Sequence, residues 1–174
     1  MLRRLKEDVA QELPPIIRQV RWVPATKPAT MALQASALKQ MSFLEALQAT
    51  LDAKIDVAVE AAQAAGKFVL VTWQKKHAEL MHDKLNEAGF PTEIVTGDYS
   101  HAEREAAIDR VRKSGANLVC TIDSTNAGVD GMQHVASTLI FHALDYVPIK
   151  LAQMEARLHR IGQQDSVTAV YIAM

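Results

Sequence analysis

The sequence predicts one α/β domain with a mainly parallel sheet of about five or six strands and helices on both faces. Short apolar runs, typical of strands buried on both sides, alternate with helix-length segments whose apolar residues recur every three or four positions. Capping boxes and glycines mark where several of these helices begin and end. This alternation indicates βαβ units and therefore a parallel sheet.

Residues 1–41 differ from the rest of the chain. They hold most of the prolines and a basic cluster, and they show no sustained hydrophobic period. We predict a short helix over Leu2–Gln11, an extended segment over Ile17–Val23 and a linker with some helical content over Pro24–Lys39. A region of this length is too small for a domain of its own. It is therefore interpreted as an arm or connector, and residues 42–174 are assigned to the domain.

The regular pattern starts at Ser42. Ser42 and Glu45 have the Ser-x-x-Glu spacing of a capping box, and apolar residues then recur at helical spacing as far as Gly66. Further helices are predicted before Gly89, from Ser100 to about Lys113, and over about Ile149–Ile161. The predicted strands are Phe68–Thr72, Thr92–Thr96, Asn117–Ile122, Ser137–Phe141 and Thr168–Ala173.

The composition is that of an ordinary globular protein. Its 174 residues are 49% hydrophobic and 22% charged, and the net charge is -1, so contacts to nucleic acid would have to come from a local arrangement of groups. The single cysteine, Cys120, excludes a disulfide framework and a thiolate metal cluster. No apolar run approaches the roughly 20 residues of a membrane span, and the first residues have no apolar signal core. We expect an intracellular protein, cytoplasmic in a prokaryote or phage and nuclear in a eukaryote.

Ligand sites in open α/β sheets lie at the carboxyl ends of the strands. The predicted strand Phe68–Thr72 ends on Thr72, and Trp73, Gln74 and two lysines follow it; together these groups can hold a phosphate backbone. Packing of Trp73 at the strand end beside solvated lysines explains the same residues. After the next strand, Gly97 would let a ligand approach the backbone closely, although a tight turn into the helix capped by Ser100 has the same pattern.

Two further segments carry groups suited to phosphates. The loop after Asn117–Ile122 could bind phosphate through Ser124 and Thr125 and a sugar hydroxyl through Asp130, or it could be a polar loop without such a role. On the last predicted helix, Gln153, Arg157 and Arg160 are spaced i, i+4 and i+7 and would share one face. Two guanidinium groups on one face can stabilise charge on a transferring phosphoryl group, but helical arginines are more often solvated or paired.

Taken together, these segments resemble a known family. The segment from Gln153 to Gln163, QMEARLHRIGQ, is similar to motif VI of Swi/Snf-type superfamily-two DNA helicases, Q-A-x-x-R-x-H-R-I-G-Q. Ser124–Met132 resembles their motif V, S-T-x-A-G-x-x-G-L, and Thr138–Pro148 resembles the segment between the two motifs. The arm is similar to the connector that leads into the second lobe. The resemblance implies a RecA-like three-layer domain, the second of the two lobes of an ATP-driven motor.

The resemblance implies two sets of roles. Arg157 and Arg160 would be arginine fingers that reach ATP on the first lobe, with Gln153 in support. Gly128 and Asp130 would face the nucleotide side of the cleft. The residues expected on the DNA side, near the backbone of one strand, are Thr72, Trp73, Gln74, Gly97, Ser124 and Thr125. We expect DNA binding to be sequence-independent and salt-sensitive, with only a minor contribution from base stacking.

The parts that would bind ATP itself are missing from this sequence. It has no G-x-x-x-x-G-K-[ST] loop and no Asp-Glu-x-His box for magnesium and water. In the family, ATP with Mg²⁺ is bound mainly by the first lobe, which is therefore an expected partner along with DNA. We expect the chain to be a fragment or the product of a split gene, and not to hydrolyse ATP alone.

Three alternatives stay open from the residues. A complete small nucleotide-binding enzyme would need a phosphate loop that the sequence lacks. A non-catalytic protein- or nucleic-acid-binding module could keep the fold and lose the chemistry, although both arginines are present. Hydrolysis at a histidine-bound metal would need a motif such as H-E-x-x-H, whereas His77 and His82 are five residues apart. We predict no metal site.

Overall fold

The computed structural model describes residues 13–126 and 131–174. Within these ranges the chain alternates between strands and helices, as the sequence predicts. The strands are β1 (Ile16–Trp22), β2 (Phe68–Thr72), β3 (Thr92–Val95), β4 (Asn117–Thr121), β5 (Thr138–Phe141) and β6 (Val167–Ala173). The helices are α1 (Lys27–Ala37), α2 (Phe43–Asp52), α3 (Ile55–Ala65), α4 (Lys75–Glu87), α5 (His101–Ser114), α6 (Ile122–Asn126) and α7 (Pro148–Leu158).

The strands form one six-stranded sheet in the order β1-β6-β5-β2-β4-β3. Every strand pair in it is parallel, so the prediction of a mainly parallel sheet is confirmed. Two neighbouring inner strands, β2 and β4, are buried at every position. This double-sided burial is the reason that both read as continuous apolar runs in the sequence.

Two hydrophobic clusters cover the two faces of the sheet. Along β2, Val69 and Val71 belong to one cluster, whereas Phe68 and Leu70 belong to the other, because successive strand residues point to opposite faces. Helices α5 and α7 contribute to the first cluster, and α3 and α4 to the second. Each large aliphatic side chain buried in this way contributes roughly 1.5–3 kcal/mol to folding.

The helix predicted from Ser42 to Gly66 is two helices. The capping box is confirmed, since Ser42 Oγ accepts from Glu45 N and the Glu45 carboxylate accepts from Ser42 N. The chain then turns after Asp52, and α3 starts at Ile55. Leu51 packs in the first cluster and Ile55 in the second, so the turn carries the chain from one face of the sheet to the other. Hydrophobic spacing missed the turn because both halves are amphipathic.

The N-terminal arm contributes a strand to the sheet. The extended segment predicted over Ile17–Val23 is β1, which pairs with β6 from Ile16↔Val167 to Trp22↔Ala173. The predicted linker contains α1, which is capped by Thr26. The helix predicted over Leu2–Gln11 lies outside the described residues. The division of the chain between residues 41 and 42 stays a prediction.

Candidate functional site

The hydroxyl group of Thr72, at the carboxyl end of β2, points into the protein. Thr72 is fully buried, and its Oγ1 lies 2.9 Å from Nδ1 of His142. Burial lowers the pKa of His142 to about 3, so the ring is neutral, and Nε2 donates to the Leu51 carbonyl at 2.9 Å. Nδ1 is then the acceptor, and Thr72 is the donor. In this conformation Thr72 is unavailable to a phosphate, contrary to the DNA contact predicted for it.

Trp73 and Gln74 are better placed for an external contact. Both are half-buried, and Lys75 and Lys76 after them are exposed. Trp73 packs edge-on against Tyr146, with ring centroids 5.4 Å apart and planes at 71°. Gln74 precedes the first turn of α4 and makes no side-chain cap bond there. These groups stand at the strand end where the sequence predicts them.

Gly97 lies in the turn between β3 and α5. It is exposed, and a β-carbon built on it meets no atom within 4 Å. The turn is tied to its neighbours by Lys75, whose Nζ lies 2.5 Å from Asp98 Oδ2, and by Arg104, whose Nη2 donates to the Gly97 carbonyl at 3.3 Å. The Lys75–Asp98 pair therefore brings the segments after β2 and β3 together at one edge of the sheet.

Ser124, predicted to contact DNA, is also turned inward. Its side chain is fully buried, and Oγ lies 3.0 Å from the Val95 carbonyl and 2.7 Å from the Thr121 carbonyl. The hydroxyl thus links α6 to the ends of β3 and β4. The side chain of Thr125 lies outside what the structure describes, as do Gly128 and Asp130, so their predicted roles stay predictions.

The two arginines with the motif VI spacing do not share a helical face. Helix α7 ends at Leu158, so Arg160 lies beyond the helix, contrary to the predicted end near Ile161. Gln153 is exposed, Arg157 is half-buried and Arg160 is exposed. Helix α7 starts after the carboxyl end of β5 and runs back along the sheet towards the amino end of β5. The segment that carries Arg160 therefore lies at the opposite edge of the sheet from Trp73.

Gln163 and Gly162 fix the end of the segment that carries Arg160. The buried Gln163 side chain donates to the Ala136 carbonyl at 3.2 Å and accepts from the amides of Gln164 and Asp165 at 3.1 and 3.2 Å. Gly162 has φ +100, and a β-carbon there would lie 3.1 Å from Cε1 of His134. The positive φ favours glycine at this position, and a larger residue would also force the neighbouring ring to shift. A cavity of about 350 Å³ opens between the segment and Gln133–His134.

A buried carboxylate in α7, missed by the sequence analysis, anchors the helix to the edge strand. Glu155 Oε1 and Oε2 accept from Arg18 Nε and Nη2 at 2.9 and 2.8 Å, and Tyr171 also donates its hydroxyl to this carboxylate. Burial and this hydrogen bond raise the pKa of Tyr171. Near the helix end, His159 Nε2 donates to the Pro14 carbonyl at 2.6 Å.

The sequence did hold a signal for this anchor. Leu151, Met154, Glu155 and Leu158 have the spacing of one apolar helix face, and Glu155 is its only charged member. A carboxylate on the buried face of a helix requires a partner.

Comparison with known proteins decides the family. Residues 47–162 match the model of the helicase conserved C-terminal domain. The chain belongs to this family. Together with the chromatin-remodelling relatives described next, this match confirms the resemblance to the second RecA-like lobe of Swi/Snf-type helicases that was drawn from the motif V and motif VI segments.

Curated relatives of this helicase C-terminal domain include chromatin remodelling factors. One is the SWI/SNF-related matrix-associated actin-dependent regulator of chromatin subfamily A-like protein 1 of Xenopus tropicalis, 27% identical over 99% of this chain and 20% of its own length. Another is the CHD3-type chromatin-remodeling factor PICKLE of Arabidopsis thaliana, 34% identical over 59% of this chain and 8% of its own length. The chain thus spans a fifth or less of these two relatives.

Solved structures share the fold. The C-terminal part of the Fun30 ATPase domain superimposes with a TM-score of 0.63 at 16% identity, covering 69% of this chain and 40% of that one. The C-terminal domain of the DEAD-box protein Dbp5 gives 0.57 at 21% identity, covering 70% of each chain. These likenesses confirm the predicted RecA-like architecture.

None of the helices in the described ranges is long and apolar enough to cross a membrane. Among the same residues, no group of three or more His, Cys, Asp or Glu side chains is arranged to hold a metal ion.

Proposed function

We propose that this chain is the C-terminal lobe of an ATP-dependent DNA translocase or helicase of Swi/Snf type. In the intact motor it would supply arginine fingers to ATP on the first lobe, and it would contact the DNA backbone. The observation that carries the proposal is the fixed end of the motif VI segment, where Arg157 and the exposed Arg160 stand beside the Gln163 and Gly162 anchors. The localisation of the whole protein follows from the same proposal, nuclear if the source is a eukaryote.

The chemistry assigned to the arginines is electrostatic. A guanidinium group placed against the γ-phosphoryl group stabilises the charge of the transition state and is worth about 10³- to 10⁵-fold in turnover. Such a group requires firm positioning, since a displacement of about 1 Å can cost 10²-fold. The Arg18–Glu155 pair and the His159–Pro14 hydrogen bond supply this positioning, because they hold α7 from both its middle and its end.

Binding of ATP itself is assigned to the first lobe. Mg²⁺ held there with ATP would supply positive charge that neutralises the phosphates. Among its described residues, the C-terminal lobe has no carboxylate cluster for the metal. The groups that it would contribute to ATP hydrolysis are the positively charged guanidinium groups of Arg157 and Arg160. The exposed Gln153 lies one turn before Arg157 on the same helix face.

DNA contacts are proposed at the carboxyl edge of the sheet. Trp73, Gln74 and the turn at Gly97 support this placement, since they are accessible and lie together there, close to exposed lysines. Thr72 and Ser124 are not part of the proposed surface, because their hydroxyl groups are buried and hydrogen-bonded. Phosphate contacts of this kind predict affinity that falls steeply as salt rises.

The test is DNA-stimulated ATP turnover of a two-lobe protein in which this chain follows its own first lobe. Arg157→Ala and Arg160→Ala should each lower kcat by about 10³-fold or more and leave DNA affinity unchanged. The matched control is Arg21→Ala, which removes a guanidinium group from β1, away from motif VI. Equal turnover in all three variants would refute the arginine-finger role and favour a non-catalytic binding module.

A further inference from the structure

A cavity of about 290 Å³ lies between α1, α2 and the carboxyl ends of three strands. Its walls come from both helices, from the segments after β2 and β5, and from the end of β6. The walls are mostly apolar, with contributions from Leu33, Leu47, Leu51, Trp73, Ala143 and Leu144. Small-ligand sites in proteins combine such walls with a few polar groups that select the ligand. The polar groups of this cavity therefore decide what it fits.

Lys54 is the charged side chain among the described residues that line the cavity. It lies in the turn between α2 and α3 and is only 6% exposed. Its Nζ donates to the Ile172 carbonyl at 3.2 Å. Because Ile172 directly precedes Ala173 and Met174, which also line the cavity, the ammonium group lies at the cavity wall. An ammonium group has three N–H donors, so it can bind a ligand as well as this carbonyl.

The charge of Lys54 is not balanced by the acidic residues next to it in sequence. Asp52 and Asp56 pair instead with His77 and Lys84, each at 2.8 Å. Burial lowers the pKa of Lys54 to about 8, with no described carboxylate to offset the effect. The side chain is still mainly protonated at pH 7, since its pKa lies above that value. A buried cation of this kind is stabilised by an anion at hydrogen-bond distance.

The size and lining of the cavity restrict which anion fits. One water molecule occupies about 30 Å³ in the liquid, so a cavity of about 290 Å³ has room for roughly ten non-hydrogen atoms. A single ammonium group matches a single negative charge, and the apolar walls match hydrocarbon. A phosphate dianion would need more donors than Lys54 supplies. An aspartate or glutamate of another protein would bring peptide groups to the apolar walls, where they would lack hydrogen-bond partners.

We propose that this cavity binds a small carboxylate with an apolar tail, of the size of a medium-chain fatty acid. The carboxylate accepts a hydrogen bond from Lys54 Nζ, and the tail packs between the leucines of α1 and α2 and the ring of Trp73. The proposal does not rest on the ATP and DNA contacts proposed above. The sequence analysis did not identify the site because Lys54, Trp73 and Leu144 are far apart in the chain.

The experiment uses the 174-residue chain with Trp22→Phe, which leaves Trp73, in the cavity wall, as the only tryptophan. Trp22 is 74% exposed at the end of the edge strand, so this change should be structurally mild. Trp73 fluorescence is measured at pH 7 during separate titrations with octanoate, octanol and octylamine. These three compounds share a chain length and differ in charge. Inorganic phosphate is then added as a competitor to the octanoate complex.

We expect octanoate to change Trp73 emission to a saturating level and to bind about tenfold more tightly than octanol, with octylamine weaker still and phosphate unable to compete. Lys54→Met keeps an unbranched side chain without the charge. It should weaken octanoate binding about tenfold and leave octanol binding within about twofold. Lys113→Met removes an exposed lysine from α5 and is the matched control, with both affinities unchanged. Thermal unfolding followed by circular dichroism checks that each variant is folded.

Equal affinities for octanoate and octanol in the chain with native Lys54 would overturn the proposal, because the ammonium group would then play no part in binding. This comparison needs no substitution at Lys54, so it stands even if Lys54→Met does not fold. Undiminished octanoate binding by a folded Lys54→Met variant would place the carboxylate elsewhere and refute the site. Displacement of octanoate by inorganic phosphate would also refute it, since the cavity would then be a general anion site. Absence of octanoate binding would have the same consequence.

Discussion

The anchor between the edge strand and the motif VI helix yields a quantitative prediction. Arg18→Ala removes both charged hydrogen bonds to Glu155 and leaves a carboxylate that is only 6% exposed with the Tyr171 hydroxyl as its remaining described partner. Breaking a fully buried ion pair costs about 3–5 kcal/mol, whereas an exposed pair contributes about 0–1 kcal/mol. The Arg18 side chain is 57% exposed, so water screens this pair in part.

We therefore expect Arg18→Ala to lower the free energy of unfolding by about 2 kcal/mol. For a chain of this length that loss corresponds to a fall in Tm of roughly 4–8 °C. Urea denaturation at pH 7 measures the change, and Arg21→Ala on the same strand is the control, with an expected cost below about 0.5 kcal/mol.

A double-mutant cycle with Glu155→Gln isolates the interaction between the two side chains. The coupling energy should be about 1–2 kcal/mol, because the two residues are in direct contact. Additive single-variant effects, or an Arg18→Ala cost no larger than that of Arg21→Ala, would refute the inference that β1 holds α7 in place.

Three further predictions concern buried polar groups. Ser124→Ala should reduce stability by about 1 kcal/mol in urea denaturation and leave DNA affinity unchanged, since the described hydrogen bonds of the hydroxyl go to carbonyls of the protein. A selective loss of DNA binding would restore its predicted DNA contact. The pKa of His142, lowered to about 3 by burial, lies below the ordinary value of 6.5. The neutral His142 ring therefore makes its full contribution to the free energy of unfolding above pH 6.5. That contribution is lost as pH falls towards 3, by up to about 1.4 kcal/mol per pH unit. His142→Asn should make the free energy of unfolding less dependent on pH in this range. Burial raises the pKa of Cys120 and shields it, so we expect no alkylation by iodoacetamide at pH 8 in the folded protein and rapid alkylation in urea.

Much of the fold could be predicted from the sequence because the determinants are local. The buried strands β2 and β4 read as apolar runs, and Ser42 and Ser100 with their glutamate partners fix two helix starts. The end of α7 could not be predicted in this way. His159 leaves the helical conformation where its ring bonds to the Pro14 carbonyl, a contact between residues 145 positions apart.

The candidate site was predicted in its parts but not in its arrangement. The resemblance to the motifs predicted roles for Arg157, Arg160, Trp73 and Gln74. These four residues lie in segments that are accessible in the structure. Residue type alone did not reveal that Thr72 and Ser124 point inward, since a threonine or serine at a strand end can turn either way. The partners that decide their orientation, such as His142, follow other strands.

DNA-stimulated ATP turnover, measured for the chain alone and for the chain mixed with its first lobe, tests whether this chain is half of an ATP-driven motor. We expect no turnover by the chain alone, turnover in the mixture, and loss of that turnover when the chain carries Arg160→Ala. Turnover by the chain alone would contradict the half-motor proposal, because this sequence has no phosphate-binding loop of the G-x-x-x-x-G-K-[ST] type.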